Sequence, residues 1–549
     1  MGFLRSSSMF SFLLILVLPF SWPTPSSSSA NTHEDFLRCL SSSLASNDSS
    51  SISRLVYTHR SSNYTSVLES TIHNARFITS TSPRPLVIVT PLHVSHVQAT
   101  IRCSKRHGLQ LRTRSGGHDF EGVSYVSESE APFVIVDLAN LRSIDVDVEN
   151  EVAWVQSGAI MGELYYAVAQ KSRTLAFPGA LCHGVAFGGM ISGGGYGLLF
   201  RKYGLAADNV VDAEFIDVNG RILNRESMGE ELFWAIRGGG GGSFGIVLSW
   251  KVKLVRVPEI VTVFSISRTL EQNVTQLLHR WQYIAGQFPD EMYSSITIAT
   301  TNTTVDGRNL TVVATFTTMF LGRANELVPL IQNIFPELGL TIQDCNEMSF
   351  VESILVLGML QNPNENLEIL LDRSYRISFL VATPSFKSKS DYVKKPIPEI
   401  GFQGIWSQLL EPEARAATLN FVAYGGVMDE ISESAVPFPH RKGNIYEISY
   451  NVRWPEEDNV NSQRYVSWMR KLYSYMTPYV SKSPREAYVN YRDLDIGKNN
   501  DDGHTSYAQA SLWGRKYFKN NFNRLVKMKT RIDPENFFRH EQSIPPYFG

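Results

Sequence analysis

The chain has no excess of basic charge. Its 51 Lys and Arg are offset by 53 Asp and Glu, for a formal net charge of −2. That leaves no large counterion-release contribution, which argues against a general nucleic-acid or membrane-surface binder. There is no His-Glu-x-x-His and no Cys-x-x-Cys, so no zinc signature, and no metal site is expected. No glycine run ends in Gly-Lys-Ser/Thr, so there is no P-loop. No fixed-period repeat is present, which excludes a solenoid or propeller. Beyond the N-terminus no apolar run is long enough to span a bilayer. Cysteine is scarce, with four in 549 residues: Cys39, Cys103, Cys182 and Cys345.

What is present starts with an N-terminal address. Arg5, an apolar run over residues 9–20 and Ser28-Ser29-Ala30 form a charged region, a hydrophobic region and a small-x-small cleavage site. Residues 1–30 are therefore expected to be a secretory signal peptide, with the apoplast (extracellular space) or the vacuole as destination. Five Asn-x-Ser/Thr sequons, at Asn47, Asn63, Asn273, Asn302 and Asn309, are glycosylation candidates that fit secretion. In an oxidising compartment two cysteines can pair. Cys39 with Cys103, each on an expected helix near the start, is the leading combination. Cys345 reads as a buried small hydrophobe.

The chain is organised around a glycine-dense stretch over residues 177–210, with Cys182 at its mouth. A second cluster is Arg114-Ser115-Gly116-Gly117-His118, directly after an expected strand. A third is Arg237-Gly238-Gly239-Gly240-Gly241-Gly242. Glycine lets backbone approach a ligand closely, and successive N–H groups cradle anions. Three such loops point to a large phosphate-bearing ligand, and His118 and Cys182 to two nucleophiles anchoring one cofactor. Gly241-Gly242-Ser243-Phe244-Gly245 matches the G-x-S-x-G string. It is set aside because a strand, not a helix, is expected to follow it. The same run lacks the setting of a dinucleotide fingerprint.

The length calls for two or more domains. Helical periodicity runs over residues 35–44, and Val94, Val97 and Ile101 mark another helix face that Gly108 ends. Strands are expected at residues 86–90, 109–113 and 133–138, a strand pair over 144–155 and a helix over 161–171. A hairpin turns at Asn219-Gly220, and a strand follows at 246–255. Hairpins rather than strict strand–helix alternation favour α+β over a doubly wound sheet. Later come long alternating strands at 294–300 and 311–319, and one helix over about 507–525. The expected division is 31–258 for cofactor binding, 259–478 for substrate with a broad antiparallel sheet, and 479–549 returning to the first domain.

Several motifs together carry a family resemblance. They are Arg114-Ser115-Gly116-Gly117-His118-Asp119, Ser192-Gly193-Gly194-Gly195-Tyr196-Gly197, residues 201–209, residues 233–241, Pro437-Phe438-Pro439-His440-Arg441 and Asn490-Tyr491-Arg492-Asp493-Leu494-Asp495. The chain resembles the berberine-bridge-enzyme-like FAD-linked oxidases of the vanillyl-alcohol-oxidase fold. It looks closest to the cannabinoid-acid synthases and related enzymes acting on prenylated phenols, Diels–Alderase members included. The resemblance implies an α+β fold with a two-part FAD-binding domain of PCMH type and an α+β substrate domain. It implies FAD held bicovalently by His118 and Cys182. It extends the cofactor site to Arg114, Ser115, Gly116, Gly117, Asp119, Val185, Gly188, Gly189, Ser192, Gly193, Gly194, Tyr196, Gly197 and Asn490. It implies a Cys39–Cys103 disulfide, and a valine at position 185 fits access of O₂.

By the same resemblance Tyr491 falls on a catalytic base, with Arg441 and Glu447 as further catalytic candidates and Arg453 as a donor. The chain departs from the family at His183, Gly184 and Met190, at Phe120, at Glu447 and Ser449, and at Thr297. The expected activity is hydride transfer from a prenylated phenol or similar aromatic to FAD, with O₂ reduced to H₂O₂. The alternative is redox-neutral [4+2] cycloaddition of a diene with a chalcone-type dienophile. A carbohydrate oxidase is disfavoured by loss of the usual polar base cluster. The expected partners are a small aromatic substrate and O₂, with no nucleic acid, no membrane and a monomeric state.

Overall fold

The computed structural model describes residues 2, 28–44, 52–79, 81–129, 131–302, 310–358, 366–374, 384–500 and 504–547. Residues 3–27, which carry most of the expected signal peptide, and the sequons at Asn47 and Asn309 lie outside these. Asn63, Asn273 and Asn302 are exposed.

The first sheet has four strands, in the order Val56–Thr58, Val87–Val89, Phe133–Asp137, Gln110–Arg114. The last three run parallel. Helix Val94–Arg106 makes the crossover that a parallel pair requires. It ends at His107, and Gly108 follows at φ +66°. Val87–Val89 and Phe133–Asp137 are buried throughout, as strands covered on both faces are. A Cys39–Cys103 disulfide joins helix Ser28–Leu44 to this crossover helix, with Cα atoms 5.8 Å apart.

The second sheet carries the expected hairpins. Its order is Ile144–Asp147, Val152–Gln156, Ile246–Lys253, Val210–Ile216, Ile222–Leu223, all antiparallel. Gly220 takes φ +77° at the Asn-Gly turn. So the first half of the chain combines a parallel core with a hairpin sheet, and the fold is α+β.

The third sheet is the widest. Seven antiparallel strands run Asn346–Met348, Val261–Thr269, Leu310–Phe320, Met292–Asn302, Ala417–Ala423, Tyr446–Trp454, Ser385–Val393. Its two faces differ because side chains alternate. Ile296, Ile298, Ala314 and Phe316 pack on helices Val274–Ile284, Glu399–Leu409 and Ser462–Tyr475 through Leu278, Trp281, Phe402, Met469 and Leu472. The opposite face carries Ser265, Ser295, Thr297, Thr315, Thr317 and Asn420, which line a cavity.

The C-terminal segment differs from the single expected helix. Tyr507–Phe518 and Asn521–Ile532 are separate helices, broken where Lys519 takes φ +48°. This arrangement also disposes of the G-x-S-x-G string. Ser243 is buried between helix Arg225–Ile236 and strand Ile246–Lys253, and its hydroxyl accepts from the Ile544 N–H at 3.1 Å. It is tied to the tail rather than presented as a nucleophile.

Candidate functional site

The glycine loops and the polar face of the wide sheet enclose a cavity of about 900 Å³. The loop after strand Gln110–Arg114 forms one wall. Gly117 sits at φ +68°, and a Cβ there would lie 1.9 Å from the Thr71 carbonyl oxygen, so only glycine fits. His118 stacks on His73 with ring centroids 3.7 Å apart, and His73 Nε2 donates to the Gly116 carbonyl at 3.0 Å.

The loop carrying Cys182 comes to the same wall: a Cβ built on Gly184 would stand 3.7 Å from His118 Nε2. Cys182 is open to the cavity yet enclosed by protein. Burial pushes its thiol up, and the backbone N–H groups of Gly184 and Val185 partly oppose this. Val185 lines the wall, its carbonyl held by the Met161 N–H at 2.9 Å.

Helix Phe187–Ser192 supplies the floor. Gly188 packs so closely that a Cβ would lie 2.6 Å from Ser115 Oγ, which itself donates to the Ser157 carbonyl at 2.9 Å. Nothing stands within 4 Å of a Cβ on Gly189, whose backbone faces open cavity. Ser192 donates to the Gly188 carbonyl at 2.6 Å. Gly197 also lines the cavity, against the Gly179 carbonyl. Asn490 lines it too, donating to the Met190 carbonyl and the Tyr488 hydroxyl, each at 2.9 Å. Asp119 lines it while paired to Arg492 at 2.9 Å.

Four residues named from the sequence stand behind the wall. Arg114 is buried, bound to Asp137 and to the Val67 and Leu68 carbonyls, so it braces the loop rather than touching a ligand. Gly193 and Gly194 lie under the loop, Gly193 against Asn490. Arg441 grips Asp208 through two bonds of 2.7 and 2.9 Å and does not reach the cavity, which corrects its expected role as a donor to substrate.

The catalytic candidates meet at the opposite wall. Tyr491 and Tyr196 share a hydroxyl–hydroxyl hydrogen bond of 2.8 Å. Tyr491 stacks on Phe120 at 5.4 Å and 2°, and Phe120 meets Phe386 edge-on at 5.3 Å. Burial, then the neighbouring Glu447 carboxylate, push the Tyr491 phenol well above its usual range. Glu447, paired in register with the cavity-lining Val422, is buried, and burial pushes its carboxyl up to about 8, eased slightly by the Tyr196 hydroxyl.

Arginines line the cavity at 112, 373, 453 and 492. Three are neutralised, by Glu541, Glu163 and Asp119. Arg453 pairs with no carboxylate among the described residues, and burial lowers its pKa. Thr297 donates to Asn420 Oδ1 at 3.0 Å on the same wall.

One device was missed in the sequence. Lys387 and Lys389 are buried and bind Asp493 and Asp495, and Lys387 also binds Glu121. This cluster ties the wide sheet to the cofactor loops beside Phe120, Phe386 and Tyr491. The only signal was the paired spacing Lys-Ser-Lys and Asp-Leu-Asp. Among the described residues no His/Cys/Asp/Glu cluster is suited to a metal, and no helix is long and apolar enough to cross a membrane.

The bare backbone at Gly116, Gly189 and Gly241, with a histidine and a thiol on one wall, fits a flavin nucleotide. The fold and site together define a flavoprotein oxidoreductase. Comparison with known proteins agrees. Residues 85–225 match the family described as FAD binding domain, and residues 487–545 match Berberine and berberine like. Tetrahydroberberine oxidase of Berberis wilsoniae is 49% identical over 525 residues, 96% of each chain. Cannabidiolic acid synthase-like 1 of Cannabis sativa is 48% identical over 523 residues, 94% of each chain. The solved structure of BBE-like 28 from Arabidopsis thaliana superposes with a TM-score of 0.86 at 45% identity, over 94% of this chain and all of that one. The chain belongs to the berberine-bridge-enzyme-like family of FAD-dependent oxidases.

Proposed function

We propose that this protein is a secreted oxidase of plant specialised metabolism that takes a hydride from a prenylated phenol or similar aromatic. FAD, when bound, supplies the hydride acceptor and passes the electrons to O₂, giving H₂O₂. The observation that carries the reading is the Tyr491–Tyr196 hydroxyl pair at 2.8 Å, set in an aromatic wall that faces the glycine cradle. Phe120 and Phe386 offer ring faces to an aromatic substrate. Tyr491 is within reach of a phenolic O–H, and Arg453 can hold the oxygen as its charge develops. His118 and Cys182, on the same wall of the cavity, would both bond the flavin. The sheet face of serine, threonine and asparagine orients the rest of the ligand through hydrogen bonds. Anaerobic mixing with a panel of prenylated phenols tests this. A substrate should bleach the flavin, and in air should yield matched H₂O₂. No bleaching by any member would count against the reading.

One observation favours a second reading. Arg453, without a carboxylate partner among the described residues, can polarise a carbonyl with no hydride moving. That suits a [4+2] cycloaddition between a diene and a chalcone-type dienophile, catalysed by positioning and hydrogen bonding. A product of summed mass, formed equally well without air, would support it.

A further inference from the structure

The loop that carries His118 has a second segment laid along it. Arg114 donates to the Val67 and Leu68 carbonyls of helix Tyr64–Glu69. The Thr71 carbonyl closes on Gly117. His73 donates to the Gly116 carbonyl, and Asn74 donates to the Phe120 carbonyl, each at 3.0 Å. Asn74 is fully buried, and its amide also reaches the wide sheet. It donates to the Phe386 carbonyl and accepts from the Phe386 N–H, each at 3.1 Å. Residues 67–74 therefore follow residues 114–120 contact by contact, and the backbone on either side of His73 has little room to shift.

His73 is thus a fixed surface, and what it faces is His118. The two imidazoles stack with centroids 3.7 Å apart and planes 22° from parallel. The edge of His118 that carries Nε2 and Cε1 faces Gly184, where a Cβ would stand 3.7 and 3.8 Å away. One face and one edge of the ring are occupied by protein. An imidazole side chain turns about two torsions, and ordering them costs conformational freedom. Here the stack orders them before any ligand arrives. Both rings line the cavity.

We propose that His73 is the positioning residue for the covalent tie between His118 and the flavin, holding the His118 ring in the plane from which a ring nitrogen reaches the cofactor. In that step a bond forms between a His118 nitrogen and a methyl carbon of the flavin ring. The N–H bond and one C–H bond break. Two of their electrons make the new bond, the other two leave through the flavin to O₂, and O₂ takes both protons to become H₂O₂. The part played by His73 is geometric. A nucleophile misplaced by about 1 Å reacts roughly 10²-fold more slowly, and an imidazole free to turn spends most of its time misplaced. Cys182 is carried by the other loop, outside this stack, so its bond does not depend on His73.

The inference rests on the double attachment proposed above, and its test separates the two. In Cys182→Ala the His118 bond is the sole covalent tie. That enzyme is purified with its flavin and held in air. The acid-stable share of the flavin is followed by precipitation, beside total flavin by absorbance. With His73 present the share should become nearly complete. His73→Ala in the same background should carry the same total flavin and reach that share roughly 10²-fold more slowly. His73→Gln keeps a donor for the Gly116 carbonyl, which guards the fold of the loop, and without the ring it should be as slow. In His118→Ala, where Cys182 holds the flavin, adding His73→Ala should leave the rate of attachment unchanged. Equal rates with and without the His73 ring overturn the proposal. So does a parallel fall in total flavin, or equal slowing of both bonds, since either would make His73 a general support of the cradle. Acid release of all the flavin from Cys182→Ala with His73 intact defeats the double-attachment reading itself, and the role of His73 with it.

Discussion

Glu447 keeps its proton at a cost to the fold. Its ordinary pKa is 4.5, and burial raises it to about 8. Between those values the native chain holds a proton that the unfolded chain releases. Stability from this group therefore falls as pH rises from about 4.5 to about 8 and is flat above. Glu447→Gln removes the dependence. Denaturant melts should show the variant gaining on wild type across this window, by on the order of a few kcal/mol at its upper end. A difference that does not change with pH would contradict the assignment. A second residue-scale prediction concerns the flavin. Under the proposed double attachment, His118→Ala and Cys182→Ala should each keep flavin with the pellet after acid precipitation, through the remaining bond. The double variant should release it to the supernatant.

At the scale of elements, the cradle depends on glycines doing different jobs. Gly188→Ala puts a Cβ 2.6 Å from Ser115 Oγ and should deform the floor. Gly189→Ala meets nothing within 4 Å in the protein, so it should fold with unchanged thermal stability in the apo form. Flavin content by absorbance should fall in both, with loss of apo stability only in Gly188→Ala. The disulfide spans 64 residues, and on chain-entropy grounds its removal by Cys39→Ser with Cys103→Ser should cost up to about 4 kcal/mol, readable as a lowered denaturation midpoint.

Much at this scale was legible in the sequence. Glycine clusters, the Asn219-Gly220 hairpin, the helix over Met161–Lys171 and the Gly108 stop are local signals, and each is an element in the structure. The parallel pairing of the first sheet was not legible, because it is set by packing between distant segments. The break at Lys519 was read through, although Asn520, directly after it, is a residue type that favours helix N-caps and does stand at the N-cap of the second helix. Arg441 looked like a donor by motif. Its pairing with Asp208, far away in sequence, decides otherwise.

For the whole molecule, the central feature is how two halves close over one cavity. The wide sheet offers its polar face, and the buried cluster of Lys387, Lys389, Glu121, Asp493 and Asp495 fastens it to the cofactor loops. Burial lowers Lys387, but its carboxylate partners together outweigh that and raise it, so its contribution persists below its unfolded pKa and is lost only as pH climbs through its folded one. Burial raises Asp495, but Arg470, Lys387 and Lys389 together outweigh that and depress it, so its contribution is present above the usual carboxylate range and lost as pH falls through its folded pKa. The fastening therefore holds through neutral pH. Lys387→Met strands buried carboxylates and should cost about 3–5 kcal/mol. Thermal melts would check this, and a loss below about 1 kcal/mol would place the cluster with surface pairs.

The most direct test of the account is a single incubation. The flavin-loaded enzyme is given prenylated phenols, alone and paired with chalcones, in air and under argon, while product mass and H₂O₂ are followed together. The account predicts a product lighter than its substrate by two hydrogens, formed only in air over many turnovers and matched by H₂O₂. A product with the summed mass of two substrates, formed as fast under argon and without H₂O₂, would contradict it.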